Sequence, residues 1–219
     1  MTNENLYAVA CENLRNVCIM HSNFSEEDGE AMYKTVTRDA DQFLRSKYLP
    51  RIIPALQIYA DAREAVLKSK GGNVYSAVKK FIKSIPEHKS RFRGFWVDKD
   101  GRQCFCDGYR AFRLKNHIEG FDSVEGTDLY AVWPDASVAV PLELPTQGEL
   151  KAHIAEQRGM AHAFFDFGED KPLVDAKFLQ SMMDILPGAT AKFCGVNKPI
   201  ILECEDGDGI LLPVHRKTA

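Results

Sequence analysis

The chain has 219 residues, 45% of them hydrophobic and 27% charged, with a formal net charge of −3. That balance is ordinary for a globular protein, and the length suffices for one large core or two small ones. There is no apolar run of about 18 residues, and Met1-Thr2-Asn3-Glu4-Asn5 is polar and acidic, so the sequence predicts no membrane span, no secretory signal and a cytoplasmic protein.

Residues 1–72 read as wholly helical. Leu6, Ala10, Leu14 and Val17 recur at helical spacing, as do Met32, Val36, Ala40 and Phe43. Ser25-Glu26-Glu27-Asp28 has the form of an N-cap with an acidic first turn, and Leu49-Pro50 should end that second helix. A third helix is predicted from Ile52 to about Lys68, with Pro54 tolerated in its first turn, before Gly71-Gly72 breaks the pattern. The domain boundary is placed there, giving a helical segment 1–72 and an α+β domain 73–219.

The second part opens on the clearest helix in the chain. Val74, Ala77, Val78, Phe81, Ile82 and Ile85 form one apolar stripe, with Lys79, Lys80 and Lys83 on the opposite face, and Pro86 ends it. Strands are predicted at 92–97 and 102–106 and out to about 115, then irregular strands at Tyr130–Trp133 and Val138–Leu142. A helix at 147–158, a strand at Ala163–Phe167, a helix at 173–186 and strands near 190–195, 199–204 and 209–214 complete the pattern. Asp-Gly pairs sit between the strands of both meanders, where tight turns are needed. A helix followed by a β-meander therefore occurs twice.

Charge is distributed unevenly over this part. Residues 73–120 hold 11 Lys and Arg against 5 Asp and Glu, whereas residues 121–219 hold 8 against 16. A basic block in an acidic chain marks a place for a polyanion, or a solvated face balanced by acidic neighbours in the fold.

Several fragments of the second part resemble the bacterial β sliding clamp, the processivity ring of the replicative polymerase. Arg91–Leu114 resembles that family's strand, turn, strand and Thr-Asp-Gly-His-Arg-Leu motif. Here the motif reads Cys106-Asp107-Gly108-Tyr109-Arg110-Ala111, keeping Asp-Gly and Arg but not Thr, His or Leu. Val174-Asp175-Ala176-Lys177-Phe178-Leu179 resembles the clamp's last helix, and Gly209 to Arg216 is similar to its terminal Met-Pro-Met-Arg-Leu. The resemblance covers at most residues 73–219, is patchy between 120 and 160, and does not extend to 1–72.

The resemblance implies a non-enzymatic DNA clamp-like protein of replication or repair. Its helices would face double-stranded DNA through Lys79, Lys80 and Lys83, joined by Lys89, Arg91 and Arg93. Lysines on a helix face contact phosphates without reading sequence, which suits a sliding function, although a solvated helix face has the same composition. The resemblance also implies an apolar groove for short peptide motifs of polymerases or repair proteins, at Gly108, Tyr109, Arg110, Ala111, Leu212, Pro213 and Val214. In the family these two segments come from neighbouring domains, so in one domain they are expected at opposite ends. Ala111 in place of leucine removes part of one wall. A closed ring would need about six copies of a chain with room for one such domain, so homo-oligomerisation is one expectation. The other is a clamp-derived adaptor, of phage or mobile-element origin, that no longer encircles DNA.

A third reading is an enzyme with a site built on Cys104, Cys106 and the histidines. Cys104-x-Cys106 on a strand puts both sulfurs on one face, and Cys194 and Cys204 would make four thiols. There is no Cys-x-x-Cys pair, His-Glu-x-x-His helix, phosphate loop or nucleophile elbow, and Glu203, Glu205, Asp206 and Asp208 lack the frame of a calcium loop. No catalytic residue, metal or cofactor is therefore assigned.

Overall fold

A computed structural model describes residues 2–22, 26–40, 44, 52–158, 160 and 162–215. The chain forms two compact units, residues 1–72 and 73–219. The helical run Ile53–Ser84 is in fact two helices, because Gly72 takes φ +58° and ψ −145° inside it. A residue with a Cβ reaches that region only under strain, so the helix breaks at the glycine.

In the first unit α1 is Asn3–Ser22, α2 is Glu26–Arg38 and α3 is residues 53–71. Ala10, Leu14 and Cys18 of α1 pack with Val36, Ala40, Ile52, Leu56 and Tyr59 in one core. Leu6 is exposed, so the buried stripe of α1 runs through Cys18 instead. An Arg15–Glu30 ion pair joins α1 to α2, and the Tyr7 hydroxyl donates to that of Tyr59 at 3.4 Å. The expected cap at Ser25, the stop at Leu49-Pro50 and Phe43 lie outside the described residues.

The second unit is α+β. Its elements are α4 (73–84), β1 (Trp96–Val97), β2 (Gln103–Cys106), β3 (Arg110–Leu114), β4 (Val140–Leu142), α5 (Gln147–Glu156), β5 (Phe164–Asp166), β6 (Leu173–Asp175), α6 (Ala176–Ile185), β7 (Thr190–Phe193), β8 (Ile200–Cys204) and β9 (Gly207–Leu211). An antiparallel sheet runs β1-β2-β3-β9-β8-β7-β4, with β5 and β6 paired apart from it. The two meanders β1-β2-β3 and β7-β8-β9, each preceded by a helix, meet along their last strands, where Arg110 faces Leu211 and Leu114 faces Gly207.

Alternation along the strands assigns the two faces. Phe105, Phe112, Leu114, Ile200, Leu202 and Leu211 turn to the helices and form one core with Val78, Phe81 and Ile85 of α4, Leu150 of α5, and Leu179, Met182 and Ile185 of α6. Phe105 and Phe112 stack at 4.8 Å between ring centres, and Phe81 meets Phe112 edge-on at 5.0 Å. Cys104, Ala111, Ile201 and Ile210 turn the other way, onto Trp96 and Leu129. On that face the Arg113 guanidinium lies 3.6 Å over the Trp133 ring and pairs in bidentate fashion with Asp208.

Several predicted boundaries move, and four of the changes have a visible local reason. The strand expected from 92 begins only at Trp96, because residues 87–92 form a 3-10 turn; the following Arg93 donates twice to the Ile85 carbonyl, covering the end of α4. Tyr130–Trp133 is a turn, closed by the Val132 and Trp133 N–H groups on the Leu129 carbonyl. Helix α6 begins at Ala176 because the Asp175 carboxylate accepts from the N–H of Lys177 and Phe178, while 173–175 pair with β5. The last hairpin turns on Glu205 and Asp206, and Gly207 already belongs to β9. A Cβ on Gly207 would overlap the Arg113 carbonyl, so only glycine lets β9 approach β3 there.

Candidate functional site: the helix layer and the adjoining sheet corner

The Asp107-Gly108-Tyr109-Arg110 turn between β2 and β3 is built around one carboxylate. Asp107 Oδ1 accepts the N–H of Tyr109 at 2.8 Å and of Arg110 at 2.7 Å. Its Oδ2 accepts Arg110 Nε at 2.9 Å and Nη2 at 2.6 Å. Both residues are buried, at 5% and 4% exposure. The guanidinium lies between two aromatic rings, 4.7 Å from Phe81 of α4 and 4.2 Å from Phe178 of α6, with Nη2 also 3.3 Å from Ser84 Oγ. Arg110 thus fastens the β2–β3 corner to both helices, the role a planar, permanently charged side chain fills best.

Above that buried pair, α4 and α6 leave an open groove of about 750 Å³. Lys80 of α4, Lys151 of α5 and Lys177 of α6 line it, and all three are exposed. None of the three forms an ion pair with a described residue. The one acidic residue lining the groove is Asp184, which accepts from Gln147 Nε2 at 3.1 Å. The groove is therefore a basic recess with serine and amide donors on its walls. On sequence Lys177 is alone on its helix and Lys151 is joined only by Arg158, and nothing in the chain places them beside Lys80; only the tertiary packing does.

The other basic residues of 79–93 have different surroundings. Lys83 is exposed on α4 and Lys79 is half-buried. Lys89 Nζ donates to the Asp107 carbonyl at 3.3 Å and lies 4.2 Å over the Tyr109 ring. Arg91 lies 4.7 Å over Phe92, and Arg93 is engaged at the end of α4. None of these five residues lines the groove.

The segments expected at opposite ends of the domain are neighbours. The β3–β9 pairing places them side by side, and the Leu212 N–H donates to the Tyr109 carbonyl at 2.9 Å. The expectation failed because it carried over a spacing between domains, whereas one sheet here holds both meanders. Tyr109 is 52% exposed and Leu212 40%, with Pro213 and Val214 half-buried beside them. Phe178 extends the patch, its ring centre 5.8 Å from that of Tyr109. Arg110 is engaged with Asp107 and Ala111 turns to the opposite face of the sheet, so the exposed surface is that of Gly108, Tyr109 and Leu212.

The cysteines have the character of packed side chains. Burial pushes the Cys104 thiol up to about 12, and burial likewise raises that of Cys106, so both are protonated near neutral pH and neither is an activated nucleophile. Among the described residues no group of three or more His, Cys, Asp or Glu side chains is placed to hold a metal ion. Glu203 pairs with Lys192 at 2.7 Å and Asp208 with Arg113 and Arg102, which neutralises half of the acidic cluster. No helix among the described residues is long and apolar enough to cross a membrane.

No protein-family model, curated protein or solved structure matches the chain.

Proposed function

We propose that residues 73–219 form a non-enzymatic, clamp-like module that associates with double-stranded DNA in replication or repair. The observation that carries this reading is the doubled helix-plus-meander unit, which packs α4, α5 and α6 on one face of the sheet, with the lysines of α4 on that helix layer. Lys79, Lys80 and Lys83 would meet the phosphate backbone as point charges, the contact that binds without fixing a sequence. The corner formed by Tyr109, Leu212 and Pro213 would take a hydrophobic anchor of a polymerase or repair-protein peptide, since an exposed aromatic beside an exposed leucine is a typical small hot spot. Changing Lys79, Lys80 and Lys83 to Glu should weaken duplex binding and flatten its salt dependence; unchanged binding would discard the helix face as the contact. Tyr109→Ala with Leu212→Ala should lower affinity for a clamp-binding peptide while leaving the fold intact.

A second reading, a clamp-derived adaptor that does not encircle DNA, is favoured by the sheet edges. Strand β1 has two residues, and residues 122–124 pair with Phe95 just before it, Phe95 N–H donating to Asp122 O and Val124 N–H to Phe95 O. Strand β4 at the other edge has three residues with Pro141, which lacks an N–H, in the middle. Short, covered or proline-bearing edges resist continuation of a sheet into a neighbour. Absolute mass by light scattering separates the readings: a discrete species near six chains supports a ring, and a monomer or dimer at every concentration supports the adaptor.

A further inference from the structure

We infer that the groove between α4 and α6 is the track of a single nucleic-acid strand, its phosphates held by Lys80, Lys151 and Lys177. The inference rests on the nucleic-acid part of the function proposed above and specifies the strand state of what enters the groove.

Three features of the groove lead there. First, the lysines are exposed, lack carboxylate partners among the described residues and come from three different helices, so their charge is open to an anion from outside. Second, beside Ala77, Phe178 and the Asp184 carboxylate, the rest of the lining offers donors. Asn73 and Ser76 of α4 and Gln180 and Ser181 of α6 are the hydroxyl and amide groups that commonly meet phosphate oxygens. Phe81 at its base is fully buried, which leaves no deep apolar pocket for the anchoring side chains of a peptide. Third, the space is a recess. Its wall on α4 extends over residues 73–84, about 17 Å at 1.5 Å per residue. A volume of about 750 Å³ is that of a small-ligand site, whereas a duplex could rest across the outer ridges of the helices but not sink between them. A single strand can lie along such a trough with its backbone on the lysines. Tyr109 stands at the end of the trough marked by Ser84, Arg110 and Phe178, beside Lys89, where a base leaving the groove would meet it.

The test is fluorescence anisotropy of the full chain with a short labelled oligothymidylate and with a duplex of equal length, across about 50–200 mM salt. Three phosphates at about 0.7 counterions each give a slope of log K against log salt near −2 for the single strand. Lys151→Gln with Lys177→Gln should weaken single-strand binding and make that slope shallower by about 1.4, while Lys198→Gln, at an exposed turn residue outside the groove, leaves it unchanged. The inference is overturned if the Lys151/Lys177 variant binds the oligothymidylate with wild-type affinity and slope. It also falls if the wild type binds only the duplex, in which case the DNA-associated reading stands without it. Binding of neither nucleic acid overturns both.

Discussion

Removing the Asp107 carboxylate should be the most damaging single change at the β2–β3 corner. In Asp107→Ala the Arg110 guanidinium stays between Phe81 and Phe178, at 4% exposure, without the acid that neutralises it. Its surroundings then offer Ser84 Oγ at 3.3 Å, a neutral and distant acceptor. An uncompensated buried charge costs about 3–5 kcal/mol, whereas an apolar replacement of the whole pair is near neutral. Both tryptophans, Trp96 and Trp133, lie in the second unit, so tryptophan fluorescence in urea follows this unit alone. With a urea slope near 2 kcal/mol per molar, the midpoint should fall by about 1.5–2.5 M. Asp107→Asn keeps an oxygen for the N–H groups of Tyr109 and Arg110 but loses the charge, so it should remain destabilised. Asp107→Ala with Arg110→Met should recover to within about 2 kcal/mol of the parent, because no buried charge is left. A loss below about 1 kcal/mol in Asp107→Ala would refute the reasoning, since Arg110 would then have found water or another partner.

Other substitutions probe other links. Phe112→Ala removes a fully buried ring stacked on Phe105 and edge-on to Phe81, and should cost about 3–5 kcal/mol in the same urea measurement. Gly207→Ala should destabilise by about 1–3 kcal/mol or more, because the new methyl meets backbone rather than a movable side chain. The raised Cys104 thiol contributes stability that is fully present below the unfolded thiol value near 8.5 and is lost as pH rises toward about 12. Cys104→Ala should therefore lessen the fall in unfolding midpoint over that alkaline window. Native Cys104 should also resist iodoacetamide at pH 8, read by mass spectrometry; rapid alkylation would reopen the case for a reactive cysteine.

The fold was legible where a local signal had one physical reading. The apolar stripe of α4 could only be a helix lying on a core, and its Phe81 and Ile85 are buried there. The Asp-Gly pair at 107–108 marked a hairpin, and β2 and β3 pair across it. The errors fall where tertiary partners decide. Tyr130 and Trp133 look like strand residues, yet the loop they occupy is held by Arg102 of the β1–β2 turn and Arg113 of β3, through a hydrogen bond to the Tyr130 hydroxyl and the stack on Trp133. Residues 173–175 fit a helix by pattern, but Asp175 serves better as the cap of α6. The candidate site was half legible. A basic helix face can be read from Lys79, Lys80 and Lys83, but the convergence of Lys80 with Lys151 and Lys177 depends on α5 and α6 crossing the same sheet face, which no local pattern encodes.

The salt dependence of duplex DNA binding by the full chain tests the central claim most directly. Three phosphate contacts through Lys79, Lys80 and Lys83 predict that log K falls linearly with log salt at a slope of about −2.7, and that the triple Glu variant loses that slope. A wild-type chain with no measurable affinity at about 50 mM salt, or one whose affinity ignores salt, would contradict the account.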